Sequence, residues 1–296
     1  MIYFFIMFIG IDLGGTKIAG VLAEPSGKIL MDVQIPTEAQ KGKVQVISNI
    51  KKAIHLLIQS KKIKISAIGL GAPGPILYEK GIVHEAPNLP GWKRVKIKEI
   101  LEKEYKVPVF VDNDANCAAL AESCFGAGVE AKHFVYMTVS TGIGGGIIID
   151  KKLYRGAIGS AGEFGHMIVD VNGPKCGCGK YGCLEALASG SALKKITGMD
   201  ALSLELSARQ GDKHSQAAIE KAAHYLALGL GNVINIMNPE LIVIGGGLSN
   251  MKELLFNPLR QELKKYALKL PSQSVKIVRA KLGTKAGVLG AVALCL

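Results

Sequence analysis

FIGIDLGGTKIAGVLAE, residues 8–24, and FVYMTVSTGIGGGIIID, residues 134–150, are the two stretches from which the rest of the chain is read. Each runs from an apolar, β-branched strand through a Gly/Thr turn into a second apolar strand, which is a hairpin pattern. The turns, Asp12 to Lys17 and Ser140 to Gly146, carry glycines that admit a ligand close to the backbone. They also set hydroxyls and N–H groups where a phosphate can be held. Two such turns point to two related halves gripping one polyphosphate. For either turn alone, a tight hairpin without a ligand is the competing reading. Neither fits a nucleotide-binding helix start: GGTK lacks the spacing G-x-x-x-x-G-K-[ST], and GIGGG opens a strand rather than a helix. Asp12 weighs against the bare hairpin. An aspartate ending a buried strand, followed by Gly14, Gly15 and Thr16, is costly unless it holds something, and a hydrated Mg²⁺ beside phosphates would account for it.

Outward from the first hairpin, residues 28–35 read as a third strand and 43–60 as a helix on the spacing of Val44, Ile47, Ile50, Ile54, Leu57 and Ile58. A buried strand at 65–70 enters the rigid turn GAPGP, 71–75, and a second proline-stiffened loop covers 81–92. A helix around 96–105, the strand VPVFVDND and a helix from Ala115 to Ala127 follow. Strands alternating with helices argue an α/β fold with a mostly parallel central sheet. Residues 151–190 are glycine-rich with little periodicity, and long loops of that kind are usually functional. Helices near 185–196, 200–210 and 214–237, the strand PELIVIGGGLS at 239–249, a further helix, a strand at 275–279 and a small-residue helix at 285–294 complete the chain.

At 296 residues the length permits two domains. The net charge is +12, yet the lysines fall in scattered pairs with no interleaved aromatics, which disfavours nucleic acid as a partner. A basic surface that attracts anionic substrates is the better reading. The opening MIYFFIMFIG is apolar, but the run stops at Asp12, too short to span a membrane. It has no basic leader and no cleavage site, so it reads as an extended first strand, with Met7 as an alternative start. Of six cysteines, Cys117, Cys124 and Cys295 sit among apolar residues as ordinary buried thiols. Without a secretory signal the expected compartment is the cytoplasm.

Asp112, Asn113 and Asp114 lie where a strand meets a helix. An N-cap, worth about 1 kcal/mol, explains one of the three. A carboxylate at the carboxyl end of a parallel strand is also placed to accept a proton from a substrate hydroxyl, which favours Asp114 as a general base. Glu163 and His166, in GEFGH, precede CGCGKYGC. His166, Cys176, Cys178 and Cys183 offer one imidazole and three thiolates, a donor set for closed tetrahedral zinc. A redox-inert cysteine cluster is the alternative. If His166 binds zinc through one nitrogen, its other N–H is free for a substrate.

Taken together, IGIDLGGTK (9–17), EAPNLPGW (85–92), VDNDANCAALAE (111–122), TGIGGG (141–146), GEFGHM (162–167), CGCGKYGCLEALASG (176–190) and IGGG (244–247) make the sequence resemble the ROK (repressor, open reading frame, kinase) family over nearly its whole length. The resemblance implies an actin/hexokinase-like fold. Its two α/β domains, 1–117 plus 284–296 and 118–283, would flank a cleft, with the last helix crossing back to the first domain. It implies ATP and Mg²⁺ at Asp12, Gly14, Gly15, Thr16, Lys17, Thr141 and Gly142, with Gly245 and Gly246 near the adenosine. The sugar shell would be Asn88, Asn113, Asp114, Glu163, His166 and Glu185, and His166, Cys176, Cys178 and Cys183 would hold a structural Zn²⁺. The implied activity is ATP-dependent phosphorylation of a hexose, with glucose to glucose 6-phosphate expected first. N-acetylmannosamine, fructose, allose and N-acetylglucosamine are the alternatives, and a homodimer is the expected assembly. The family includes sugar-responsive repressors with an N-terminal helix-turn-helix, for which the early position of the first turn leaves no room.

Overall fold

The computed structural model of the chain describes residues 6–59, 64–86 and 88–296. The start of the expected first strand, residues 1–5, and the expected helix end at Ser60 lie outside them. The chain divides into two compact units, Met1–Val129 with Leu153–Ala161 and Thr284–Leu296, and Glu130–Lys152 with Gly162–Gly283.

In the first unit, β1 (Phe8–Leu13), β2 (Lys17–Ala23) and β3 (Ile29–Pro36) form an antiparallel meander. Helix α1 (Lys43–Gln59) buries Val46, Ile50, Ala53, Ile54 and Leu57 in the core beside it. Strand β4 (Ala67–Ala72) pairs parallel with β1 and is buried at every residue, as a central parallel strand should be. Three short strands follow, β5 (Ile76–Leu77), β6 (Ile82–Glu85) and β7 (Lys93–Val95). They make a small antiparallel sheet where the sequence predicts only a loop over 81–92. The reason is register: Val83 faces Ile76 and Val95, and all three are buried on one side. Helix α2 (Ile97–Tyr105) leads to β8 (Val109–Asn113), parallel to β4, and then to α3 (Asp114–Phe125). The domain boundary read at 117/118 would cut α3, which runs unbroken inside the first unit.

The second unit opens with β9 (Phe134–Val139) and β10 (Ile143–Ile149), and β11 (Lys152–Tyr154) starts at the last residue of the Glu130–Lys152 stretch. Helices α4 (Leu184–Ala188), α5 (Gly190–Thr197), α6 (Ala201–Arg209) and α7 (Lys213–Met237) follow. Strand β12 (Leu241–Gly245), helices α8 (Glu253–Leu263) and α9 (Lys269–Ser274), and β13 (Lys276–Arg279) complete it. The helix predicted over 185–196 is two. Ser189 is extended (φ −77°, ψ 166°), and its hydroxyl accepts the Ala192 N–H at 3.2 Å as the cap of α5.

The sheets run β3-β2-β1-β4-β8 and β11-β10-β9-β12-β13, the same order when each is counted from its own first strand. In both, an antiparallel hairpin is followed by parallel strands. The two hairpins quoted at the outset thus hold the same second and third places in the sheets of two like halves, in an α/β fold of the actin/hexokinase type. The last helix, α10 (Ala286–Ala293), returns to the first unit and packs on β1, β4 and α3. Glycines permit the approach: a Cβ on Gly69 would lie 1.7 Å from the Ala291 carbonyl oxygen, and one on Gly290 2.0 Å from that of Cys117. Among the described residues no helix is long and apolar enough to cross a membrane.

Candidate active site

The turn after β1 is closed by the Gly14 N–H donating to the Lys17 carbonyl at 3.0 Å. Thr37, fully buried and just past the end of β3, braces it: its hydroxyl donates to the Gly14 carbonyl at 2.7 Å and its N–H to that of Thr16 at 2.9 Å. Thr16 and Lys17 are exposed, and the Lys17 ammonium lies 3.4 Å from Gln34 Oε1. The Asp12 carboxylate rests against the first turn of α10, where a Cβ on Gly287 would sit 2.3 Å from Oδ2. Burial raises the Asp12 carboxyl above the ordinary range, and Lys17 opposes that rise. A half-buried acid at the end of a strand, beside a turn braced from behind, fits a hydrated divalent cation and phosphates. Asn88 is exposed next to this turn: a Cβ on Gly15 would meet its Cβ at 3.1 Å. Buried Leu89 and Trp92 anchor the Asn88 loop.

At the β8–α3 junction the three polar residues divide the work. Asn113 is the cap: its Oδ1 accepts the N–H groups of Ala115 and Asn116 at 2.9 and 3.4 Å, and its amide donates to the Gly74 carbonyl at 3.1 Å. Asp112 is buried and paired with Arg155, Nε to Oδ2 at 2.7 Å. Asp114 is exposed, with Oδ1 accepting the Ala115 N–H at 2.8 Å. Gly71 lets the strand end approach it, since a Cβ there would lie 3.9 Å from the Asp114 Cα and 3.2 Å from Cys117 Sγ.

In the second unit the turn is Ser140 to Gly142, shorter than the sequence reading; Gly144, Gly145 and Gly146 belong to β10. Their lack of side chains lets GEFGH lie flat on the hairpin. A Cβ on Gly145 would be 2.3 Å from the Phe164 ring, and one on Gly165 2.1 Å from the Ile143 carbonyl. Phe164 is buried, which leaves Glu163 and His166 exposed on either side. Glu185, in the first turn of α4, accepts the Ile143 N–H at 2.9 Å through Oε2, and its Oε1 lies 3.8 Å from Cys176 Sγ. It therefore ties the Ser140 turn to the cysteine cluster.

The ligand atoms of His166, Cys176, Cys178 and Cys183 lie within 4.8 Å of one another. Cys176 Sγ is 3.7 Å from His166 Nδ1, and Cys178 Sγ is 3.6 Å from Cys183 Sγ. A tetrahedron with ordinary Zn–S and Zn–N bonds has edges of about 3.6–3.8 Å. The donor set therefore fits zinc, with Nδ1 the ring nitrogen facing the cluster. The Lys180 backbone N–H holds the Cys178 thiol below the usual range, whereas burial pushes Cys183 up to about 12.

Gly245 ends β12 against β9, and Gly246 follows it. A Cβ on Gly245 would be 2.3 Å from the Tyr136 hydroxyl, and Gly246 (φ +81°) passes over the Val139 carbonyl. A cavity of about 370 Å³ opens beside them, walled by Ser140, Thr141, Ser191, Lys194, Asp200 and Gly247. Ser191 and Lys194, which line this cavity, are not singled out by the sequence. The local signal was the Ser-Gly break before α5, which turns that helix's first residues toward Thr141: the Ser191 N–H donates to the Thr141 carbonyl at 3.2 Å.

The sequence model of the ROK family matches residues 8–296. A glucokinase of Thermotoga maritima is 38% identical, with 96% of this chain and 95% of that protein covered. A putative xylose repressor of a Caldicellulosiruptor species is 36% identical, with 97% of this chain and 77% of that protein covered. The crystal structure of a ROK family glucokinase from Streptomyces griseus, in complex with glucose and AMPPNP, superposes with a TM-score of 0.84 at 33% identity, covering 97% of this chain and 98% of that one. A braced phosphate-type turn, a capped strand end that presents Asp114, a three-cysteine, one-histidine cluster and these relatives converge on one assignment: the chain belongs to the ROK family.

Proposed function

We propose that the protein is an ATP-dependent sugar kinase whose substrate is glucose and whose product is glucose 6-phosphate. The observation that carries the reading is the division of labour at the β8–α3 junction. Asn113 caps the helix and Asp112 is bound by Arg155, while the Asp114 carboxylate, which accepts the Ala115 N–H, stands exposed at the strand end. The likeness to glucokinases supports glucose over the other sugars. The relatives also include a putative xylose repressor, and measured turnover with a sugar separates the kinase reading from a regulator.

In this reading the sugar 6-hydroxyl oxygen attacks the γ-phosphorus of ATP, its proton passes to the Asp114 carboxylate, and the bond to the β-phosphate oxygen breaks to release ADP. Catalysis is positioning plus electrostatics. Asn88, Asn113, Glu163, His166 and Glu185 bind the sugar hydroxyls. The turn amides of Gly14, Gly15, Thr16, Thr141 and Gly142 face the phosphates, and Gly245 and Gly246 the adenosine. Asp12 would hold Mg²⁺, which supplies neutralisation of phosphate charge when bound. Structural Zn²⁺ would sit on His166 Nδ1, Cys176, Cys178 and Cys183, leaving His166 Nε2 to meet a sugar hydroxyl. Assembly as a cytoplasmic homodimer belongs to the same proposal, and sedimentation tests the dimer.

The experiment is formation of glucose 6-phosphate from glucose and Mg²⁺-ATP by the wild-type chain and by Asp114→Asn. The variant should lose about 10²–10⁴ in kcat while its affinity for glucose stays within a few-fold. Wild-type turnover in Asp114→Asn would remove Asp114 as the base.

A further inference from the structure

Asp112 is a charge in the core, 1% exposed, two residues from Asp114. A buried carboxylate survives only if it is paired and its lone pairs are filled. Here Oδ2 takes the Arg155 Nε–H at 2.7 Å, while Oδ1 takes the Asn113 N–H at 2.7 Å and the Asn116 amide at 2.9 Å. Arg155 is itself held. Its guanidinium lies over the Tyr78 ring at 3.6 Å from the centroid, a cation–π contact within the same unit. Tyr78 and Arg155 wall a cavity of about 310 Å³ with Leu77 and Ile158. The segment Leu153–Ala161, which carries Arg155, belongs to the first unit although the chain on both sides of it belongs to the second. The ion pair therefore links a residue 43 positions away to the strand end from which the reactive carboxylate projects.

We propose that Arg155 is a positioning residue for Asp114: it neutralises Asp112, and Asp112 in turn fixes the Asn113 N–H and the first turn of α3. The inference rests on the kinase reading and on Asp114 as its base. Arg155 touches no reacting atom. Its contribution is to hold both Asp112 oxygens in place, so that the cap and Asp114 keep one geometry. Charge is what couples the pair. Removing Arg155 strands a buried carboxylate and removing Asp112 leaves a half-buried guanidinium without its anion, whereas removing both leaves neutral groups that can still hydrogen-bond.

The test compares wild type with Arg155→Gln, Asp112→Asn and the double variant, in the full chain. Two readouts are taken: kcat and KM for glucose with Mg²⁺-ATP, and amide hydrogen exchange of residues 111–117 in the sugar-free protein. Each single variant should lose about 10- to 100-fold in kcat, the scale expected for a misplaced catalytic group, with KM for glucose changed less. Exchange over 111–117 should quicken in each. The double variant should recover most of the kcat and the protection. A double variant no better than the worse single one, or exchange unchanged in Arg155→Gln, would overturn the proposal. Wild-type protein that phosphorylates no sugar would instead defeat the kinase reading, and the exchange measurement would still decide whether Arg155 orders the Asp114 turn.

Discussion

Gly287 shows how a residue with no side chain can set the chemistry of one that has it. The Asp12 carboxylate occupies the space a Cβ at 287 would need, 2.3 Å from Oδ2. In Gly287→Ala the movable group is the end of the Asp12 side chain, so the fold is expected to survive while the carboxylate shifts. The predicted result is a circular dichroism spectrum and melting point near wild type, with kcat down about tenfold or more. Asp12 also carries a pH signature. Burial raises its carboxyl in the folded state, so the folded protein holds that proton more tightly than the unfolded chain does. Its contribution to stability therefore falls as pH rises from the ordinary value of 3.8 through the raised folded value. Asp12→Asn should remove this loss: at neutral pH it should melt no lower than wild type, although its turnover fails. A melting point clearly below wild type would contradict the burial argument. At this scale residue type alone singled out Asp12, Asp114, His166 and the cysteines, and the structure brings the last four together. It was silent on Thr37, Lys194 and the Asp112–Arg155 pair, because what each one does depends on a partner distant along the chain.

Among the elements, the segment from Gly162 to Ser189 has little regular structure and depends on its cross-links. Two isolated bridges, Ile168 with Cys183 and Lys175 with Tyr181, and the Cys178–Cys183 approach are local. Zinc on the four ligands would supply the missing order. Protein purified without chelator is expected to contain about one zinc per chain. Cys183→Ser or prolonged chelation should lower the melting point and quicken hydrogen exchange across this segment, and metal-free protein with unchanged exchange would argue against the zinc reading. Helix α10 is the opposite case, an element held by closeness. In Gly69→Ala the new methyl would meet a backbone oxygen at 1.7 Å, and backbone cannot yield as a side chain can. A loss of about 1–3 kcal/mol or more, read from the urea midpoint, is expected. Periodicity located α1, α2, α7 and α10 well because each buries one face or is apolar throughout. It missed the small sheet of β5, β6 and β7 because strands of two to four residues leave too few alternations to read.

For the whole molecule, the informative feature of the sequence was repetition. Two hairpins with glycine turns implied two like halves, and the two five-stranded sheets have the same strand order and the same change from antiparallel to parallel pairing. Such a plan fixes where the turns lie in each unit but not which sugar is chosen. Selectivity for one sugar depends on the placement of a few hydroxyl contacts, which no pattern of residue types encodes. The most direct test of the central claim is ADP release from Mg²⁺-ATP by purified protein offered glucose, fructose, allose, N-acetylmannosamine and N-acetylglucosamine in parallel. The account predicts ADP release that depends on sugar, is fastest with glucose and is nearly lost in Asp114→Asn. Release that is the same with and without every sugar, or none at all in folded protein, would contradict it.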